Sequence, residues 1–119
     1  LCDRFVDSSI AYQGGGRELG VDVVCQINAP AVRDMTPDAT VYLAIDHQLA
    51  LQRRHSASSP DRIEVEAGPF HSRVQSAYEK LIREDPRRFL VVNGEQPVDA
   101  VAAEVLSAVL SRLEPEIEV

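Results

Sequence analysis

The 119 residues, 45% of them hydrophobic, suit one compact domain or a large part of one. Nineteen acidic against twelve basic residues give a formal charge of -7, which opposes nonspecific binding to nucleic acid or an anionic membrane. Phosphorylated small molecules remain open as ligands, because a few local arginines outweigh a distant global field.

The chain opens on Leu1-Cys2, which reads as the stub of a buried strand; with no initiating Met, the whole reads as a trimmed chain. Cys2 and Cys25 lie among apolar neighbours, as buried thiols in a reducing compartment would. No stretch is long and apolar enough to span a bilayer and no leader pattern is present, so the cytoplasm is the default.

Next comes the densest polar cluster, Asp3-Arg4-Phe5-Val6-Asp7-Ser8-Ser9 followed by Ala11-Tyr12-Gln13-Gly14-Gly15-Gly16-Arg17. An arginine at a strand end presents its planar fork to a phosphate and makes two charge-assisted hydrogen bonds. Asp3 beside it would orient the guanidinium or hold a metal-bound water. Taken alone, the pair favours the reading as an ordinary surface ion pair. A helix starting near Ser8 puts Ser9, Tyr12 and Gln13 on one face, three and four residues apart. Hydroxyl, ring and amide there would read a nucleobase and pack a sugar; the alternative is a capping serine with a buried tyrosine. Gly14-Gly15-Gly16 leads into Arg17-Glu18-Leu19 and lacks the Lys-Ser/Thr of a phosphate loop, so it reads as a flexible turn.

A helix is expected over Val21 to Val32, kinked or shortened by Pro30. Its apolar residues Val21, Val24 and Ile27 would serve a core or a dimer face. The run Val41 to Ile45 reads as a strand buried on both faces, as in a parallel sheet. Arg53 and Arg54 end the following helix, and His55 to Pro60 reads as a mobile loop. Phe70, Val74, Ala77, Tyr78 and Leu81 recur at helical spacing until Asp85-Pro86 stops them. Phe89 to Val92 is the next inner strand, and Val98 to Leu113 the last helix, with Pro97 in its first turn. Strand, helix, strand, helix in this order predicts an α/β layer fold whose ligands sit beyond the carboxyl ends of parallel strands. His47, His55 and His71 have no metal-ligand spacing with the cysteines, so no zinc site is assigned.

Asp3-Arg4-Phe5, Ser8-Ser9 and Ala11-Tyr12-Gln13-Gly14-Gly15-Gly16-Arg17 resemble the thymidylate kinase signature. The similarity continues in family order through Pro37-Asp38, the strand from Val41, the lid segment Asp61-Arg62-Ile63-Glu64, Phe89 to Val92 and Gln96-Pro97. The resemblance implies a partial P-loop NTPase-like fold of parallel strands with crossover helices. Residues 1–119 would form the C-terminal part of one kinase domain, with the lid near 53–64. It also implies ATP-dependent phosphorylation of dTMP to dTDP, with Mg2+ accompanying the ATP, and a homodimer that uses neither nucleic acid nor membrane.

In that reading Arg4 contacts the dTMP phosphate, and Asp3 lies beside the transfer centre. Ser9 approaches thymine, Tyr12 packs against deoxyribose and crowds out a 2′-hydroxyl, and Gln13 lines the same pocket. Relatives in bacteria often place more arginines inside the lid; His55 to Ser59 holds none, so Arg53, Arg54 or Arg62 would have to serve. Arg54 is equally a solvated helix-end charge. Asn93 to Pro97, with Gln96, would border adenine; on residue types alone it is an ordinary strand-to-helix connection. The glycine-rich lysine loop would precede Leu1 in the parent protein, and the chain by itself is expected to lack kinase activity. The alternative reading is a degenerate kinase-like domain that binds a nucleotide or a partner without catalysis. Another nucleoside monophosphate kinase fits Ala11-Tyr12-Gln13 less well.

Overall fold

A computed structural model of the chain describes residues 1–56 and 68–114. The elements run α1 Val6–Ser9, a π-helix Ile10–Gly16, α2 Val21–Val32, β1 Thr40–Ala44, α3 His47–His55, α4 Gly68–Glu84, β2 Phe89–Asn93 and α5 Val98–Leu113. β1 and β2 pair in parallel, Thr40 opposite Phe89 through Ala44 opposite Asn93. The result is an α/β arrangement with a parallel sheet.

Both expected strands form, β1 one residue earlier than its apolar run and β2 one residue longer. Burial on both faces does not hold, since Val41, Leu43 and Val91 are 37%, 48% and 53% exposed. Among the described residues the sheet has two strands. Leu1 and Cys2 are exposed and outside any strand, and Cys25 is half-buried. In this chain Cys2 is therefore exposed rather than a buried thiol. Burial pushes the Cys25 thiol up, with the Asp22 carboxylate adding to it.

The helical expectations hold with shifted ends. α4 extends the predicted stretch to Gly68 and Glu84, and its apolar stripe buries Phe70, Val74, Ala77 and Leu81. α2 keeps its expected bounds despite Pro30, which loses only one hydrogen bond two residues from the end. Pro97 directly precedes α5 rather than sitting within its first turn.

Two apolar clusters lie side by side on α4. One gathers Ile10, Val24, Leu81 and Phe89, with Val6, Cys25, Tyr42 and Ile82 against it. The other gathers Ala11, Phe70, Val74 and Ala77, with Tyr12 and Tyr78. Val21 packs against both, which assigns Val21 and Val24 to the core. Ile27 and Val23 stay 69% and 50% exposed.

The glycine triplet is not a turn. Gly14 to Gly16 complete the π-helix, marked by the Arg17 amide donating to the Tyr12 carbonyl five residues back at 2.9 Å. Their missing side chains let this helix press on α4: a Cβ on Gly15 would stand 2.6 Å from the Ala77 Cβ, and one on Gly16 2.6 Å from the Phe70 ring. Close approach, rather than turn flexibility, is what these glycines supply.

Candidate active site

The polar N-terminal cluster occupies a turn that enters α1. Arg4 adopts φ +60°, a left-handed conformation that costs a non-glycine residue on the order of 1–3 kcal/mol and persists where surroundings impose it. Its guanidinium lies over the Tyr12 ring, 5.4 Å from the centroid, within cation–π range. Asp3 and Arg4 are both exposed, so the fork is held by a ring at its back and opens to solvent in front.

Three consecutive residues then tie this turn to three different elements. Asp7 is buried, and both of its carboxylate oxygens accept from Arg88, at 2.8 and 2.9 Å. Ser8 and Tyr78 share a hydrogen bond between hydroxyls at 2.8 Å, reaching α4. The Ser9 hydroxyl accepts from the Asn28 amide of α2 at 3.4 Å.

Ser9, Tyr12 and Gln13 do not share one bare face. Ser9 meets α2, the Tyr12 ring leans toward Phe70 at 6.1 Å, and Gln13 is exposed. Burial pushes the Tyr78 hydroxyl above its usual range, although the Ser8 hydrogen bond pulls the other way. Tyr42, whose ring lies 5.2 Å from that of Tyr78, is pushed up by burial and then by Glu79. Both phenols therefore stay protonated at neutral pH.

At the far ends of the strands, α3 starts with Asp46 accepting from the Gln48 and Leu49 amides at 2.9 and 3.2 Å. Arg53, in the last turn of α3, donates to the carbonyls of Gly94 and Glu95 at 2.6 and 2.5 Å. The Glu95 carboxylate in turn accepts from the Asp46 amide at 3.2 Å. Gln96 donates to the Asn93 carbonyl at 3.0 Å and to Glu104 of α5. Arg54 is exposed beside Arg53, and Arg62 and the rest of the lid motif lie outside the described residues.

The structure thus brings Arg4 and Tyr12 together, and separately brings Arg53 to the Asn93–Pro97 loop. A cleft of about 560 Å³ between α4 and the strands is lined by Tyr42, Asp46, Glu79, Arg83 and Glu95 among others, and neither Arg4 nor Tyr12 reaches it. Three carboxylates and one arginine are the charged groups of its lining, which disfavours an anion there. Sequence reasoning missed Asp7, Thr40 and Arg88. Their only signal is an acid three residues past Arg4 and an arginine just ahead of an apolar strand, 81 positions apart.

The chain matches the thymidylate kinase family over residues 1–105. It is 43% identical over 116 residues to a thymidylate kinase of Geobacillus thermodenitrificans, covering 96% of this chain and 52% of that protein. A thymidylate kinase of Pediococcus pentosaceus is 44% identical over 108 residues, covering 89% and 52% respectively. One from Deinococcus radiodurans is 43% identical over 112 residues, covering 94% and 54%. The chain spans about half the length of these curated relatives.

Proposed function

Because the chain belongs to the thymidylate kinase family, we propose that its protein transfers the γ-phosphoryl group of ATP to dTMP, giving dTDP and ADP. The observation that carries this reading is the Arg4 guanidinium seated on the Tyr12 ring at a strained turn. Arg4 holds the dTMP phosphate through its two-pronged fork, with Tyr12 limiting where that fork can turn. The same ring packs the deoxyribose and leaves no room for a 2′-hydroxyl. Ser9 and Gln13 approach the base from either side of it. Asp3 orients the Arg4 guanidinium and stands beside the transferring group.

Phosphoryl transfer needs positioning and charge neutralisation more than a covalent nucleophile. Magnesium accompanying ATP would neutralise the phosphate charge, and it needs only one or two carboxylates because it keeps most of its waters. Asp3, exposed beside Arg4, would supply one such carboxylate through a metal-bound water. Arg53, Arg54 and Arg62 form the cationic lid near 53–64. Arg53 reaches the transferring phosphate only by releasing the Gly94 and Glu95 carbonyls it now holds. The Asn93–Pro97 loop, with Gln96, borders adenine through its backbone.

In this reading residues 1–119 are the C-terminal part of a single kinase domain with a P-loop NTPase-like fold. The protein works in the cytoplasm, in dTTP synthesis, as a homodimer whose face includes the exposed Val23 and Ile27. Calorimetric titration of the full-length protein with dTMP, UMP, AMP and GMP tests the substrate. Preferential binding of dTMP is expected, and preference for any of the other three overturns the assignment. Binding of dTMP without ATP-dependent turnover would instead identify a non-catalytic nucleotide-binding domain.

A further inference from the structure

We propose that Asp7 and Arg88 are positioning residues that fix the Arg4 turn, an inference resting on the dTMP reading of that turn. A bidentate guanidinium–carboxylate pair fixes both the place and the rotation of the carboxylate. Here Arg88 grips Asp7 through two nitrogens at 2.8 and 2.9 Å. The Thr40 hydroxyl completes the triangle, donating to Asp7 at 3.3 Å and accepting from Arg88 at 3.1 Å.

Arg88 is itself immobilised. Its Nε donates to Asp85 at 3.2 Å, its guanidinium sits 4.5 Å from the Phe89 ring centroid, and its carbonyl accepts from the Thr40 amide at 2.8 Å. The hydrogen bonds that Arg88 donates to Asp7 hold its guanidinium in the charged form, against the opposing effect of burial. Asp7 is thereby fastened to the entry of both strands, and only two residues separate it from Arg4. The left-handed Arg4 stands in the turn that leads directly into Asp7, so the anchored carboxylate holds the C-terminal side of that turn.

A buried ion pair is a poor choice for stability alone, because a well-packed apolar pair often serves as well or better. What it supplies beyond an apolar pair is a defined direction. Asp7 and Arg88 touch no substrate in this scheme; they act through Arg4.

Steady-state kinetics and hydrogen exchange on the full-length protein test the pair. Arg88→Met is expected to raise the KM for dTMP at least about tenfold while leaving that for ATP within about twofold, and to speed amide exchange over residues 3–6. Arg88→Lys, which keeps charge but loses the fork, falls between Arg88→Met and wild type. Replacing both partners, Asp7→Leu with Arg88→Met, recovers thermal stability but not dTMP affinity. Recovery of both together would overturn the proposal, as would a folded Arg88→Met with unchanged KM for dTMP. If Arg88→Met does not fold, Arg88→Lys and Thr40→Val decide by the same readouts. A wild-type protein that ignores dTMP sinks the substrate reading alone. The exchange of residues 3–6 then still decides, and unchanged protection in Arg88→Met or Arg88→Lys would overturn the positioning role.

Discussion

Around Phe70 and Leu81, α1, the π-helix, α2 and α4 are joined by two apolar clusters, whereas α3 and the Asn93–Pro97 loop are joined by polar contacts to backbone carbonyls. α3 buries no residue at all, and neither does α5. Full burial of a side chain such as Phe70 contributes about 1.5–3 kcal/mol. A typical hydrogen bond contributes a net of only about 0.5–1.5 kcal/mol. The side proposed to face dTMP is therefore a rigid platform, and the side proposed to carry the lid rearranges at lower cost. A kinase needs both, because the acceptor must be aimed while the donor's cover opens and closes.

The largest expected effect comes from cutting the function off the rigid side. Arg4→Ala removes a two-bond phosphate grip, and at roughly 1.5–3 kcal/mol per charge-assisted bond kcat/KM for dTMP falls by about 10²–10⁴. The thermal midpoint should hardly move, since Arg4 is exposed. A loss below about tenfold would detach Arg4 from the phosphate.

A smaller loss comes from disturbing the platform itself. Gly15→Ala drives a methyl against the Ala77 Cβ at 2.6 Å and the Arg73 carbonyl at 3.0 Å, and should lower unfolding stability by about 1–3 kcal/mol in denaturant melts. Gly68→Ala, with nothing within 4 Å of the added atom, should stay within about 0.5 kcal/mol of wild type. Equal losses in the two variants would contradict the close packing of the π-helix on α4.

Arg53→Ala sharpens the other side. Loss of its two bonds to Gly94 and Glu95 should raise the KM for ATP by up to about tenfold and leave that for dTMP unchanged, which steady-state kinetics resolves. An added fall in kcat of about 10³ would show that Arg53 also leaves those carbonyls for the transferring phosphoryl group.

Much of this contrast was legible in the chain itself. The stripe of Phe70, Val74, Ala77 and Leu81 announced α4, and the runs at Val41 and Phe89 announced parallel strands. The signature from Asp3 to Arg17 pointed to the family that the comparison identified. The glycine triplet misled, because three glycines in sequence look the same whether they free a turn or admit a neighbouring helix. Arg53 reads in sequence as a candidate lid arginine, and nothing there marks it as the partner of two carbonyls 41 and 42 residues away.

By itself, then, the sequence determined most of the stretches that are helices and strands, and the family the chain belongs to, because periodicity and local motifs act over a few residues. Only the tertiary structure decided that Asp7 meets Arg88, that Tyr12 backs Arg4, and that Val41, Leu43 and Val91 remain exposed. Those outcomes depend on which surfaces the packed helices cover and on pairings between distant positions, and no local pattern encodes either.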